Sequence, residues 1–263
     1  MTKFSIITVV KNNVFEIEKT INSLQSQKFK NFEHIIVDGN SKDGTSEVIK
    51  KKINSKIKYY REIDSGIYDA INKGIKYSNG DYIGLLHAGD FFSSRNVLAV
   101  INKVIKNNDI LIGNVCYFNK RINILRYWKK FLLKLSLTNS YKIPHTAMFV
   151  KKKIFKEIGN YDTKYKISSD TDFILRLSKK NYQLFYMNKN LIFMKSGGIS
   201  SSYKSLFRKV REDLIIYFEY FHIFFIVMYF LKIFSKVFDF IIFNKSKFYK
   251  NLNNNLKKEY KKL

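Results

Sequence analysis

Cysteine and acidic residues are both scarce in this sequence of 263 residues. The single cysteine, Cys116, excludes a disulfide bond within the chain and gives no sign of an oxidising compartment, so we expect a cytosolic protein. The 21 Asp and Glu residues stand against 48 Lys and Arg, and the formal net charge is +27. This excess predicts anionic partners such as phosphates, acidic lipid or nucleic acid, although a coding bias toward lysine explains it equally well.

Long uncharged segments are absent as well. The apolar run from Phe4 to Val10 is too short, and wrongly flanked, for a signal peptide or a membrane span, so we interpret it as a first strand. The longest C-terminal stretch without Asp, Glu, Lys or Arg, Tyr220 to Leu231, is too short to cross a bilayer by itself. Zinc-finger spacing and an RNA-recognition signature are also missing, which argues against a nucleic-acid-binding scaffold.

Apolar runs alternate with helical patterns through the N-terminal part of the chain. With 46% hydrophobic residues, the chain is able to bury one large core. Strands are predicted at Phe4 to Val10, His34 to Val37, Ile57 to Ile63 and Tyr82 to Leu86, with helices between them. This alternation predicts an α/β fold with a mainly parallel, Rossmann-like sheet flanked by helices.

Three acidic turns follow one another at Val37 to Thr45, Asp64 to Gly74 and Gly80 to Asp90. Asp38 and Asp90 each end an apolar run that predicts a buried strand. The carboxyl ends of parallel strands meet at one edge of a sheet, where open α/β folds hold their ligands. The sequence therefore predicts a site for a nucleotide and a metal ion at this edge.

A basic stretch separates these turns from a fourth one. Ile110 to Lys156 contains eleven basic residues and no acidic one, which indicates either a solvated face or a surface for an anionic membrane or an acceptor diphosphate. Ser168 to Arg176 then forms a polar, acidic turn that leads into an apolar helix.

In order and spacing, these motifs resemble the family 2 inverting glycosyltransferases, which have the GT-A fold. The resemblance covers roughly Thr2 to Ser200 and includes the opening segment Ser5 to Asn12, the three acidic turns and the Asp170 turn. It implies inverting transfer of a sugar from a nucleotide diphosphate sugar in the synthesis of a bacterial surface glycan, such as lipopolysaccharide or capsule. A sugar nucleotidyltransferase is the alternative enzyme class.

The donor site is predicted from the first two turns. A carboxylate at a strand end, such as Asp38, is able to accept the N–H of a nucleotide base, as the resemblance also implies; the alternative is that it only stabilises its turn. Thr8 is expected to line the same crevice, and Asp64 either contacts the nucleoside or begins its own turn. The resemblance implies a diphosphate contact for Lys73, whereas its spacing from Asp69 also fits an ion pair on one helix.

The third turn supplies the candidate metal ligand, Asp90. Mg²⁺ or Mn²⁺ needs few protein carboxylates where the phosphates of a substrate complete its coordination. The turn reads His87-Ala88-Gly89-Asp90 and keeps only the last of the two carboxylates that the family often has. His87 is interpreted either as an additional imidazole ligand or as a turn residue.

The fourth turn supplies the candidate general base. By its match to the family, Asp170 takes the proton of the acceptor hydroxyl, with Asp172 as the rival carboxylate. His145 is expected either to line the acceptor pocket or to serve as a structural histidine.

The C-terminal part differs in composition, so we expect a catalytic domain over residues 1–205 and a helical segment with a basic tail over residues 206–263. Leu214 to Phe243 is dense in Ile, Phe, Tyr and Leu, which predicts amphipathic helices in a membrane interface; an oligomer interface or packing over the catalytic domain is the alternative. A peripheral protein on the cytoplasmic face of the cell membrane would meet a lipid-linked glycan acceptor, such as one carried on polyprenyl diphosphate.

Overall fold

The computed structural model describes residues 2–118, 124–128, 137, 140, 143–195 and 203–245. Much of the basic stretch between Ile110 and Lys156 and nearly all of the basic tail lie outside these residues. The strands are β1 (Phe4–Val10), β2 (Phe32–Asp38), β3 (Ile57–Arg61), β4 (Tyr82–Leu85), β5 (Phe91–Phe92), β6 (Ile110–Phe118), β7 (Ile124–Trp128), β8 (Met148–Lys151) and β9 (Leu184–Lys195). The helices are α1 (Val14–Gln25), α2 (Thr45–Lys50), α3 (Ile67–Tyr77), α4 (Val97–Ile105), α5 (Lys152–Ile158), α6 (Ser169–Ser178), α7 (Tyr203–Phe221) and α8 (Phe225–Lys245).

The described strands form one nine-stranded sheet in the order β3-β2-β1-β4-β8-β6-β9-β5, with β7 added to β6. β3, β2, β1 and β4 are mutually parallel, as are β6 and β9. β8 runs antiparallel between β4 and β6 and joins the two parallel groups. The predicted α/β fold is confirmed, and its parallel half is the βα repeat of the N-terminal motifs.

Helices cover both faces of this parallel half. Every residue of β1 and β2 is buried, which is why these strands lack the alternation of a half-exposed strand. One face packs against α1 and α2, through Ile17, Ile21 and Ile49. The other face packs against α3, whose Gly74 lies so close to Ile7 that a Cβ atom would overlap that side chain.

The four parallel strands end at the same edge, as the sequence predicts. Asp38 is the last residue of β2, and Asp90 lies in the turn between β4 and β5. Asp170 lies in the first turn of α6.

The C-terminal helices form an antiparallel pair, here called the C-terminal hairpin (α7, α8 and the 3-10 turn His222–Phe224). Its inner side packs on the rest of the protein, where Ile216 and Tyr217 are fully buried. Ser205–Phe234 is long and apolar enough to cross a membrane by length and composition alone, and only 11% of its most apolar window is buried. The chain turns back at His222–Phe224, so this segment consists of two shorter helices and not of one continuous helix.

Candidate active site

Asp38 is the last residue of β2, at the carboxyl edge of the sheet, and has no exposed surface. Its Oδ1 accepts the backbone N–H of Ser41 at 2.8 Å, and its Oδ2 accepts the hydroxyls of Ser46 at 2.6 Å and Tyr59 at 2.8 Å. Burial acts to raise the pKa of Asp38, but these hydrogen bonds outweigh it and hold the pKa below the ordinary value. Asp38 is therefore an ionised carboxylate that shapes the turn, and a further contact to a nucleotide base stays a prediction.

Asp64 lies directly against the Asp38 turn. A Cβ atom added at Gly39 would overlap Oδ2 of Asp64, so glycine at this position allows the carboxylate to approach the backbone. Oδ1 of Asp64 accepts the N–H of Gly66 at 3.1 Å. Lys11 also approaches Gly39, with its Cδ 3.2 Å from that Cβ position. The first two acidic turns therefore lie in direct contact.

Thr8 and Lys73 are both held by contacts within the protein. Thr8 has no exposed surface, and its hydroxyl donates to the carbonyl of Leu86 at 2.7 Å, so it joins β1 to the residue after β4 from inside the sheet. Nζ of Lys73 lies 3.6 Å from Asp69 and 3.7 Å from Glu62, so the ion pair along α3 is present. Donor binding by either residue stays a prediction.

The turn that carries Asp90 is held by α1. Thr20 accepts the N–H of Gly89 at 2.9 Å and donates to the carbonyl of Asp90 at 2.8 Å, while Gly89 has a φ of 98° that favours glycine. Oδ1 of Asp90 accepts the N–H of Lys195 at 3.1 Å. Burial raises the pKa of Asp90 to about 8, although this hydrogen bond acts to lower it.

The second oxygen of Asp90 is the observation that bears on a metal ion. Oδ2 is buried and has no hydrogen-bond partner within the described part of the chain. Leaving a carboxylate oxygen buried and unpaired is unfavourable, and a divalent cation is a hard partner that such an oxygen prefers. Among the described residues, no three His, Cys, Asp or Glu side chains form a metal-binding group. Asp90 therefore fits a metal that takes most of its other ligands from a substrate.

Asp170 lies between a histidine and a tyrosine. Nδ1 of His145 is 3.0 Å from Oδ2 of Asp170, and the hydroxyl of Tyr68 is 3.1 Å from Oδ1. The side chains of His145 and Asp170 are 23% and 19% exposed, so both remain accessible to a substrate. Burial acts to raise the pKa of Asp170, but His145, Lys209 and Lys232 outweigh it and hold the pKa well below the usual range.

His87 links the Asp90 turn to the Asp170 turn. Its ring centroid lies 6.2 Å from that of His145. Burial, and then the nearby His145, lowers the pKa of His87 to about 3, so its ring is neutral. Nδ1 of His87 is buried without a hydrogen-bond partner in the portion of the chain that the structure describes. The candidate metal turn and the candidate base turn therefore border the same space.

Asp172, the rival base, is engaged elsewhere. Its Oδ2 forms an ion pair with Arg176 at 2.9 Å, and its Oδ1 accepts the hydroxyl of Tyr220 at 3.0 Å. Because both oxygens are occupied and the side chain is only 8% exposed, the geometry favours Asp170 as the carboxylate that faces a substrate.

Sequence reasoning missed several residues around Asp170. Tyr68 lies within a recognised motif, but helical periodicity does not reveal its contact 102 residues away. Lys209, Glu212 and Lys232 belong to the C-terminal hairpin, and no local pattern in the sequence connects them with the Asp170 turn. Only the packing of the hairpin places these charges there.

Comparison with known proteins agrees with this arrangement. The model of glycosyl transferase family 2 matches residues 5–215. An uncharacterized glycosyltransferase of Mycobacterium tuberculosis is 29% identical over 184 residues, which cover 65% of this chain and 67% of that protein. A PGL/p-HBAD biosynthesis glycosyltransferase of Mycobacterium bovis is 28% identical over 179 residues, which cover 66% of this chain and 68% of that protein.

Solved structures share the fold at low sequence identity. A mannosyltransferase from Pyrobaculum calidifontis, in complex with GDP-Man and Mn²⁺, superposes with a TM-score of 0.64 at 14% identity and covers 83% of this chain. TarS 1-349 of S. aureus, in complex with UDP, has a TM-score of 0.61 at 18% identity and also covers 83% of this chain. The chain spans 64% and 66% of the lengths of these two proteins. The likeness confirms the predicted GT-A fold, and the family match over residues 5–215 shows that this chain belongs to glycosyl transferase family 2.

Proposed function

We propose that this protein transfers a sugar from a nucleotide diphosphate sugar to a hydroxyl group of a glycan acceptor, with inversion at the anomeric carbon. The proposal rests on the proximity of the Asp90 and Asp170 turns. His87 of the Asp90 turn lies beside His145, and His145 contacts Asp170. A donor diphosphate bound at the first turn and an acceptor hydroxyl bound at the second would meet in that space.

The crevice at the ends of β1 and β2 is assigned to the donor. Asp38 and Asp64 supply fixed acceptors for the N–H and hydroxyl groups of a nucleoside. Lys73 contacts the diphosphate after leaving its present ion pairs, and Thr8 supports the crevice from within the sheet. The solved structures in complex with GDP-Man, UDP and UDP-GlcNAc support a nucleotide diphosphate sugar as the donor. The proposal does not assign the nucleotide base or the sugar.

A divalent cation, Mg²⁺ or Mn²⁺, is assigned to Asp90. Its unpaired Oδ2 fits a hard cation. Nδ1 of His87, three residues earlier in the same turn, is also buried without a partner among the described residues. When bound, the cation stabilises the negative charge of the departing nucleotide diphosphate. The Mn²⁺ in the Pyrobaculum calidifontis mannosyltransferase complex supports this assignment.

Asp170 is assigned the role of general base. The acceptor oxygen attacks the anomeric carbon from the side opposite the leaving group, the bond to the diphosphate breaks with its electron pair, and the acceptor proton passes to the carboxylate. Since its pKa is held low, Asp170 is ionised before the reaction and ready to accept this proton. Its hydrogen bonds with His145 and Tyr68 fix its orientation toward the acceptor.

The acceptor is proposed to be lipid-linked and met at the cytoplasmic face of the cell membrane. The exposed apolar side of the C-terminal hairpin supports this location, because it would bring the enzyme to an acceptor anchored in the same surface. The names of the mycobacterial relatives in PGL/p-HBAD biosynthesis support a role in assembling a cell-surface glycan.

A donor panel tests the proposed function. Purified protein is incubated with UDP-, GDP- and dTDP-sugars, Mn²⁺ and detergent-solubilised lipid-linked acceptors, and the product is analysed by mass spectrometry and NMR. We expect one donor class to yield a glycosylated lipid with inverted anomeric configuration, with release of nucleoside diphosphate. Release of pyrophosphate from a nucleoside triphosphate and a sugar phosphate would instead identify a nucleotidyltransferase.

A further inference from the structure

Glu212, on the inner side of the C-terminal hairpin, binds the chain just before the candidate base. Its carboxylate accepts three consecutive backbone N–H groups, those of Lys166 at 2.9 Å, Ile167 at 2.9 Å and Ser168 at 3.0 Å. α6 begins at the next residue, Ser169, and carries Asp170 in its first turn. Glu212 is 8% exposed, so these hydrogen bonds are largely shielded from water and are of the strong, charge-assisted kind.

Further contacts tie the hairpin to the same turn. The hydroxyl of Tyr220 donates to Asp172 at 3.0 Å, and Nζ of Lys209 lies 3.5 Å from the hydroxyl of Ser168. Lys232 of α8 forms a buried ion pair with Asp213 of α7 at 2.8 Å, which joins the two helices behind these contacts. The Asp170 turn is therefore positioned by a hairpin distant in sequence as well as by its own helix.

The outer side of the hairpin carries most of the large exposed apolar residues of the described chain. On α7 these include Phe207 (77% exposed) and Phe218 (57%), and on α8 they include Phe230 (64%) and Phe234 (66%). A face of this kind requires a partner. Residues 244–263 contain seven lysines and one acidic residue. This positive charge favours a negatively charged membrane surface over a neutral one.

We propose that the C-terminal hairpin docks on an anionic lipid bilayer through its apolar side, and that Glu212 is a positioning residue that transmits this docking to the Asp170 turn. This inference rests on the proposed function, and it adds that the general base Asp170 is ordered when the hairpin is docked on the bilayer. Contact with lipid stabilises the apolar face and so reduces the opening motions of α7, the helix that carries Glu212. The three hydrogen bonds of Glu212 extend this effect to residues 166–168.

Hydrogen exchange with the full chain tests this coupling without a donor or an acceptor. The probes are vesicles of phosphatidylcholine with and without phosphatidylglycerol. In the wild-type protein, vesicles with phosphatidylglycerol should slow exchange at residues 166–168 several-fold, and neutral vesicles should do so less. Glu212→Gln should still co-sediment with the vesicles but lose this slowing, because an amide replaces the carboxylate that accepts three N–H groups.

Two further variants complete the experiment. Glu47→Gln, the same change at an exposed position of α2, should respond like the wild type. A double variant with Phe218→Ser and Phe230→Ser leaves Glu212 in place and should lose both vesicle binding and the slowing, which keeps the test decisive if Glu212→Gln fails to fold. Vesicle binding without any change in hydrogen exchange at residues 166–168 would overturn the proposal, as would an unchanged response in folded Glu212→Gln. Failure to find a sugar donor would not affect these measurements.

Discussion

Nδ1 of His145 lies 3.0 Å from Oδ2 of Asp170, and this contact joins a 3-10 turn before β8 to the first turn of α6. The imidazole lies on the side of His87, 6.2 Å away between ring centroids. Asp170 is thereby connected to the turn that carries Asp90. His87 and His145 lie where the proposed metal turn meets the proposed general base.

Replacement of Asp170 by asparagine should stop proton removal and leave donor binding nearly unchanged. We expect turnover to fall by about 10² to 10⁴, with nucleotide affinity within a few-fold of the wild type. Steady-state kinetics and calorimetric titration with the nucleotide measure the two effects. The matched variant Asp172→Asn should mainly lower stability, because it loses the ion pair with Arg176. If Asp170→Asn is fully active while Asp172→Asn is folded but inactive, the general base is Asp172.

Replacement of His145 by glutamine should change the pH dependence of turnover. The contact with His145 lowers the pKa of Asp170, so its removal lets burial raise that pKa toward the usual range. The base is active only when ionised, so the acid limb of the kcat profile should move to higher pH. Loss of a charged hydrogen bond, about 1.5 to 3 kcal/mol, should also reduce turnover by roughly tenfold to a hundredfold. An acid limb that stays in place would separate His145 from the base.

Replacement of Asp90 by asparagine should abolish the response to divalent cations. In the wild type, Mn²⁺ should raise the thermal unfolding midpoint and EDTA should inhibit transfer, whereas Asp90→Asn should show no Mn²⁺ effect. Because burial raises the pKa of Asp90 to about 8 and a metal binds the ionised form, Mn²⁺ affinity should increase as the pH rises toward that value. Asp81→Asn, an exposed aspartate ahead of β4, is the control and should retain the response; equal loss in both variants would count against a site at Asp90.

Replacement of Asp38 by alanine should weaken both the donor site and the fold. The folded protein lowers the pKa of Asp38, so its contribution to stability is present above the pKa of an unfolded aspartate and is lost as the pH falls through the lower, folded value. We expect a loss of about 1 to 3 kcal/mol in the free energy of unfolding at neutral pH, since Ser46 and Tyr59 lose their acceptor, and a smaller loss in acid. Urea unfolding at several pH values measures it, together with nucleotide titration. An effect independent of pH would show that the charge of Asp38 is not what stabilises the turn.

Removal of the chain from Leu206 onward should destabilise the protein as well as detach it from membranes. Ile216 is fully buried against Tyr165 and Leu175, so its loss exposes core surface on the remaining part. Circular dichroism and size-exclusion chromatography should show unfolding or aggregation of the truncated chain. A truncated protein with an unchanged unfolding midpoint would instead support an independent domain over residues 1–205.

The sequence by itself determined the parallel half of the sheet and the positions of its turns. Continuous apolar runs predict buried strands, and the end of such a run locates a carboxylate such as Asp38 at the sheet edge without knowledge of the rest of the fold. The turn that carries Asp170 was also located from a local pattern, a polar turn before an apolar helix, whereas the role of Asp170 came from the resemblance to the family. These features depend on neighbours within a few residues, which is why a sequence pattern reveals them.

Only the tertiary structure decided what surrounds each of these carboxylates. Thr8, which was expected to line the crevice, is fully buried, and its hydroxyl donates to the carbonyl of Leu86, the residue after β4. Glu212 reaches residues 44 to 46 positions earlier in the chain, and no periodicity encodes that pairing. Contacts of this kind follow from the need to bury apolar surface while satisfying every buried N–H, carbonyl and charge, a condition imposed by the whole packed chain and not by any segment of it.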